Sequence, residues 1–136
     1  VPFSRIPILE GRGPWRGELV AYFAPGGENG AHAGEALLGR VAGVPGDDIK
    51  IEDGQILVKG ERTGVAAEST DGKERDAARW VKKKFSTVPH DSYLVLVDAD
   101  AKAPDSRTVG WIPRDHLIGR VSVVWWPPHR IRRFRG

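Results

Sequence analysis

Residues 38–60 read LGRVAGVPGDDIKIEDGQILVKG, and this stretch limits the fold more than any other. Val41, Val44, Ile49 and Ile51 are β-branched, and Ile56, Leu57 and Val58 follow. Such side chains suit a pleated, half-buried surface rather than a helix. Pro45-Gly46-Asp47 marks a turn, because proline fixes φ and glycine reaches positive φ freely. Asp53-Gly54 lies between residues 49–52 and 55–59, which predicts a β-hairpin with a two-residue loop. The predicted order is strand, turn, strand, hairpin, strand.

Composition supports this direction. A chain of 136 residues can bury one core. Its 17 glycines and 10 prolines imply many turns, which favours an all-β architecture. A net charge of +3 is too small to argue for nucleic acid without a clustered patch. The absence of cysteine excludes disulfides and thiolate metal sites. Methionine is also absent, so the chain, starting at Val1, reads as trimmed or excerpted. The longest apolar runs, residues 19–24 and 93–97, fall well short of the ~20 residues of a spanning helix. No signal peptide or transit segment is visible. The four histidines are scattered, and neither His-x-x-x-His, Ser-His-Asp nor paired-carboxylate spacing occurs. No metal or cofactor site is expected.

The run Arg40-Val41-Ala42-Gly43-Val44-Pro45-Gly46-Asp47, with Asp53-Gly54 and Val58-Lys59-Gly60 after it, resembles the signature of the type I signal peptidase family. There the run begins Lys-Arg, and the lysine is the catalytic base; here Gly39 precedes Arg40. Arg16-Gly17-Glu18 resembles the family's Arg-Gly-Asp at the start of a strand. A Ser-Met-x-Pro box should come before it and is missing. Ser4, followed by Arg5-Ile6-Pro7, lies too close to Gly39 for the family nucleophile and reads as an ordinary loop residue. A second block of resemblance covers Asp98, Asp105, Ser106, Arg107, Gly110, Pro113, Gly119 and Arg120. Within it Val97 replaces a family glycine, and Ala103 stands where a serine orients the catalytic lysine.

The resemblance spans about residues 16–126. It implies a mostly β fold: an antiparallel, barrel-like core over about 16–60 and 92–126, with a small inserted lobe over about 61–91 that contains a short helix. A basic tail, 127–136, follows. The family cleaves signal peptides from exported preproteins at the outer face of the cytoplasmic membrane, binding the extended substrate by strand addition. Its serine–lysine chemistry needs a lysine whose pKa is lowered by burial, and a donor facing the oxyanion. Gly39 supplies no base and leaves a lysine-length hole that water or another residue must fill. Lys102, flanked by Asp98, Asp100 and Asp105, reads as a solvated, salt-bridged residue rather than a replacement base. Arg40, Asp98, Asp105, Ser106 and Arg107 are the supporting motif, with Asp105 and Arg107 as a buried pair. The expectation is a signal peptidase I-like domain, catalytically inactive in this chain. The alternative is a non-catalytic pseudo-peptidase that binds the extended signal peptide of a preprotein, or a partner chain.

The remaining segments carry weaker signals. Residues 1–14, punctuated by proline and glycine, read as an extended loop. Residues 25–34 form a glycine-rich loop without phosphate-loop spacing, and His32 within it reads as solvated. Asp71 and Glu74 mark a helix start, and Ala78, Val81 and Phe85 share a face, which predicts a helix over about 71–84. Lys82-Lys83-Lys84 reads as its solvated C-terminal end, where the helix dipole favours cations, with acidic lipid or nucleic acid as the competing reading. Strands are expected over 92–97 and 118–126. Trp125 and Trp126 beside Arg130, Arg132, Arg133 and Arg135 fit a membrane interface equally as well as a buried strand end with a frayed tail. No nucleic-acid partner is expected.

Overall fold

A computed structural model describes residues 3–6, 13–25, 35–68, 77–97 and 104–123. The chain is mostly β, as residues 38–60 and the turn-rich composition lead one to expect. The strands are β1 (Phe3–Ile6), β2 (Leu19–Phe23), β3 (Ala36–Gly43), β4 (Asp48–Glu52), β5 (Gln55–Val58), β6 (Glu61–Ala66), β7 (Phe85–Thr87), β8 (Ser92–Leu96), β9 (Ile112–Pro113) and β10 (Leu117–Val123). Two short α-helices, α1 (Arg79–Lys83) and α2 (Ser106–Val109), and one 3-10 turn at Arg114–His116 complete the described elements. One sheet runs β1-β10-β2-β3-β8-β9 and the other β6-β5-β4-β7; every strand pairing is antiparallel. The described strands do not form a closed barrel.

The turns do what their residues dictate. Asp53 and Gly54 both have positive φ (51° and 74°), and Glu52 faces Gln55. Positive φ at both central residues gives the turn whose twist matches its flanking strands. After β3, Gly46 has φ +90°, the Asp47 amide donates to the Val44 carbonyl (3.0 Å), and Asp47 Oδ2 accepts from the Val44 amide (2.9 Å). Strand β3 alternates exposed and buried positions, so Leu37, Gly39 and Val41 share one inward face. With Val20, Tyr22, Tyr93, Val95, Ile112 and Leu117 this face makes the core of the first sheet. Ile49, Ile56, Val58, Trp80, Val88, Leu94 and Leu96 form the second core.

Two expectations need refinement, and one strand was not anticipated. Residues 3–6, read as loop, form an edge strand paired with β10, and Ser4 lies opposite Ser122. Residues 61–66 form β6, although no apolar alternation announced it. Of the helix expected over 71–84, the described part, 77–84, is helical at Arg79–Lys83; residues 71–76 lie outside the described residues. Lys84 ends it in the left-handed region (φ 65°), with its amide shared between the Trp80 and Val81 carbonyls. The chain reverses there, so Phe85 belongs to β7 and is exposed. The side chain that buries α1 is Trp80, stacked on Trp111 with centroids 5.5 Å apart. No helix among the described residues is long and apolar enough to cross a membrane.

Candidate functional site

The middle of β3 is where the motif places its chemistry. Gly39 lies opposite Val20 of β2 and is buried on the inward face. A Cβ at this position would sit 2.6 Å from Val95 Cγ1, 3.0 Å from Tyr22 Cε1 and 3.3 Å from the Leu96 carbonyl oxygen. The first distance is below any tolerable carbon–carbon contact, so not even an alanine fits without movement. The expected hole is therefore not open: Tyr22 and Val95 occupy it. Tyr22 is fully buried, and its hydroxyl donates to the Pro104 carbonyl at 2.8 Å. That bond gives the hydroxyl of a buried phenol an acceptor.

Behind it lies the turn Asp105-Ser106-Arg107, where all three side chains are buried. Asp105 caps α2, its Oδ1 accepting from the Arg107 amide at 2.9 Å. Asp105 Oδ2 accepts from the Val97 amide (2.9 Å), and Ser106 Oγ accepts from the Val95 amide (2.9 Å). These side chains thus serve β8 as a neighbouring strand would. Arg107 closes on Asp105 through Nε (3.1 Å to each carboxylate oxygen) and Nη2 (2.8 Å to Oδ2). Its Nη1 donates to the Ala66 and Glu68 carbonyls, both at 3.2 Å. The Ala78 amide donates to the Arg107 carbonyl (2.8 Å), and Trp80 Nε1 donates to the Ser106 carbonyl (2.8 Å). One turn therefore joins β8, the end of β6 and α1.

Arg40 points the other way. It is exposed, and its Nη1 donates to the Gly17 carbonyl at 2.7 Å. On that side a groove of about 820 Å³ runs between β3 and β6, with Arg40, Ala42, Arg62, Val65, Val97 and Arg107 among its walls; Gly39 is not one of them. Beside it, Arg16 Nε lies 3.1 Å from Asp47 Oδ2. The structure thus brings Gly39 to one face of β3 and Arg40 to the other, with Asp105, Ser106 and Arg107 in one buried turn. Asp98, Lys102, Ala103, His32, Trp125, Trp126 and the arginine tail lie outside the described residues. Tyr22 is the residue that sequence reasoning missed. Its one signal is its place on β2, two residues from Val20, on the face that covers Gly39.

Residues 7–126 match the family described as signal peptidase, peptidase S26. A probable signal peptidase I-2 of Synechocystis is 32% identical over 123 residues, covering 88% of this chain and 52% of that protein. A signal peptidase I of Leptolyngbya laminosa is 30% identical over 120 residues, covering 87% of this chain and 56% of its own length. The chain spans about half the length of these relatives. The crystal structure of a signal peptidase I from Enterococcus faecalis superposes with a TM-score of 0.55 at 20% identity, covering 82% of this chain and 98% of that one. That likeness establishes the fold.

Proposed function

This chain belongs to the signal peptidase family, peptidase S26, and from that premise we propose that it is a signal-peptidase-type domain that holds the extended signal peptide of an exported preprotein without cutting it. The observation that carries this reading is the packing at Gly39, where Tyr22 and Val95 fill the space a basic side chain would need. Attack by a serine hydroxyl requires a neighbouring group that takes its proton, and a lysine does so only as a free amine in a dry site. Position 39 has no amine and no room for one. Where the family has the serine that orients the lysine, this chain has Ala103, so the orienting hydroxyl is absent together with the base it would hold. Two such changes and a tyrosine in the vacated space are mutually consistent. The matching turn residues and the Asp105–Arg107 buttress support a retained scaffold. The setting that follows from the family is the outer face of the cytoplasmic membrane, with the peptide bound as an added strand.

The test uses the chain with a preprotein carrying an Ala-x-Ala cleavage site and with a fluorescently labelled signal peptide. The expected result is saturable peptide binding without cleavage. Cleavage that disappears in Ser4→Ala or Lys102→Ala would overturn the claim of inactivity. An unchanged peptide signal up to millimolar concentration would remove the binding claim.

A further inference from the structure

The second sheet ends in an open edge. Its order is β6-β5-β4-β7, and no described strand lies beyond β7. The Ile51 amide donates to the Lys84 carbonyl (3.0 Å), the Val88 amide to the Asp47 carbonyl (2.9 Å), and the Gly46 amide to the Val88 carbonyl (2.9 Å). Lys84 and Val88 therefore aim their backbone groups at β4 and the turn before it. Along an antiparallel strand this direction alternates from residue to residue. Ser86, opposite Ile49, thus faces β4 too, while Phe85 and Thr87 aim their amides and carbonyls away from the sheet. Of these groups the Thr87 carbonyl takes a long bond from Ser86 Oγ (3.5 Å). Natural edges are blunted by proline, by a charged side chain on the strand, or by a bulge. Phe85-Ser86-Thr87 has none of these: its register against β4 is unbroken, and Phe85 is 54% accessible. Cations gather at one end instead. Arg79, Lys82, Lys83 and Lys84, which lead into β7, are exposed, as is Lys50 opposite Phe85. The carboxylates on β4 are Asp48, which accepts from Thr87 Oγ1 (3.0 Å), and Glu52 at the hairpin. Beyond the other end of β7, His90 Nε2 lies 3.2 Å from Asp91 Oδ2.

We propose that the β7 edge takes up an extended acidic segment of a partner protein as an added strand. In such pairing the main-chain hydrogen bonds supply affinity, and the side chains around the edge select the partner. Carboxylates at the end of the added strand meet the lysines that lead into β7, and an apolar side chain next to them packs on the exposed Phe85 ring. A second copy of this chain would bring the same cations to the same edge and meet like charge. A nucleic acid offers the charge but not the alternating amides and carbonyls that would pair with Phe85 and Thr87. The edge lies in the second sheet and Gly39 in the first, so the proposed loss of the base has no bearing on it.

The experiment is fluorescence anisotropy with a short labelled peptide that has a threonine–valine core flanked by glutamates, beside a counterpart flanked by lysines. The acidic peptide should bind saturably, more weakly as salt is added, and the basic one should not. The triple variant Lys82→Gln, Lys83→Gln, Lys84→Gln, at exposed positions, should lose affinity about tenfold. Thr87→Pro removes an edge amide that the β4 ladder does not use and should also lose about tenfold. Thr87→Val loses the same hydroxyl bond to Asp48 but keeps the amide, so it should bind as the wild type does. Circular dichroism checks that Thr87→Pro is folded. The acidic peptide N-methylated at its core amides removes the pairing from the other side, and it should bind no better than the basic peptide even if that variant unfolds. Absence of binding up to millimolar acidic peptide would overturn the proposal, as would equal binding of the two peptides, or unchanged affinity in the lysine variant or for the N-methylated peptide. Duplex DNA that displaces the acidic peptide at equal charge concentration would overturn it too. So would a dimer, seen by sedimentation, that Thr87→Pro dissociates, because the edge would then belong to a second copy.

Discussion

Two buried regions flanking β8, one on β3 and one at the start of α2, are packed in opposite ways. At Gly39 the backbone is bare, and hydrocarbon from Val95 and the Tyr22 ring has closed over it. A few residues away, across the Tyr22–Pro104 hydrogen bond, Asp105, Ser106 and Arg107 keep a full set of charged and polar contacts. Both regions are buried, so exposure does not separate them. The difference lies in what each supports. The buttress satisfies amides of β8 and carbonyls at the end of β6, so removing it would leave backbone groups unpaired in the core. Nothing in the fold needs a side chain at position 39. Under the proposed reading, groups that only the reaction requires have gone and groups the fold requires remain.

The sharpest way to break this comparison is to remove the buttress. Arg107→Ala leaves the buried Asp105 carboxylate without its ion pair and frees the Ala66 and Glu68 carbonyls. It should destabilise the chain by about 3–5 kcal/mol, read from the urea midpoint. Arg40→Ala, at an exposed site where the guanidinium donates to the Gly17 carbonyl, should cost only about 0.5 kcal/mol or less. Similar midpoints for the two variants would show that Arg107 is not part of the scaffold.

A smaller effect tests the closed position itself. Gly39→Ala pushes a methyl into Val95 and should cost about 1–3 kcal/mol. In a Val95→Ala background the clash is relieved, so the double variant should be more stable than the two single costs predict, by about 0.5–3 kcal/mol of coupling. Strict additivity would mean that the space at residue 39 is not filled as described.

Much of this contrast was legible in residues, and its limits are physical. The β3–β4 turn and the Asp53-Gly54 hairpin are local, so their conformations follow from a few adjacent residues. Gly39 and the Asp105-Ser106-Arg107 block stood out only through their resemblance to a family's motifs. What filled the site could not be read from the sequence. The approach of Tyr22 to Gly39 depends on the register of β2 against β3, which no short window encodes. Strand β1 was hidden because its partner, β10, lies at the far end of the chain. Strand β6 was hidden because Gly64, at φ +78°, and a register shift opposite residues 55–57 interrupt the alternation that marks a strand. Within residues 77–84 the helix is confined to Arg79–Lys83, because its anchor is one tryptophan stacked on Trp111 and Lys84 ends it in the left-handed region.

The smallest expected effect comes from Tyr93, the other tyrosine of the first core. It is 3% exposed, and Gly13 packs so closely over its hydroxyl that a Cβ there would collide with it. Burial pushes the Tyr93 hydroxyl above its ordinary pKa; Arg114 opposes this and Asp91 adds to it. A phenol whose folded pKa exceeds its unfolded value keeps the proton longer in the native state. Its contribution to stability is therefore complete below about pH 10, the unfolded value, and is lost as pH rises from there toward the folded value. The loss is at most about 1.4 kcal/mol per pH unit. Urea midpoints of the wild type and Tyr93→Phe, measured from about pH 9 to 11, isolate it, because the two proteins share every other titratable group. The wild type should decline more steeply than Tyr93→Phe above about pH 10. Parallel curves would mean that Tyr93 reaches solvent, and that the first core is closed over Gly39 but open at its other tyrosine.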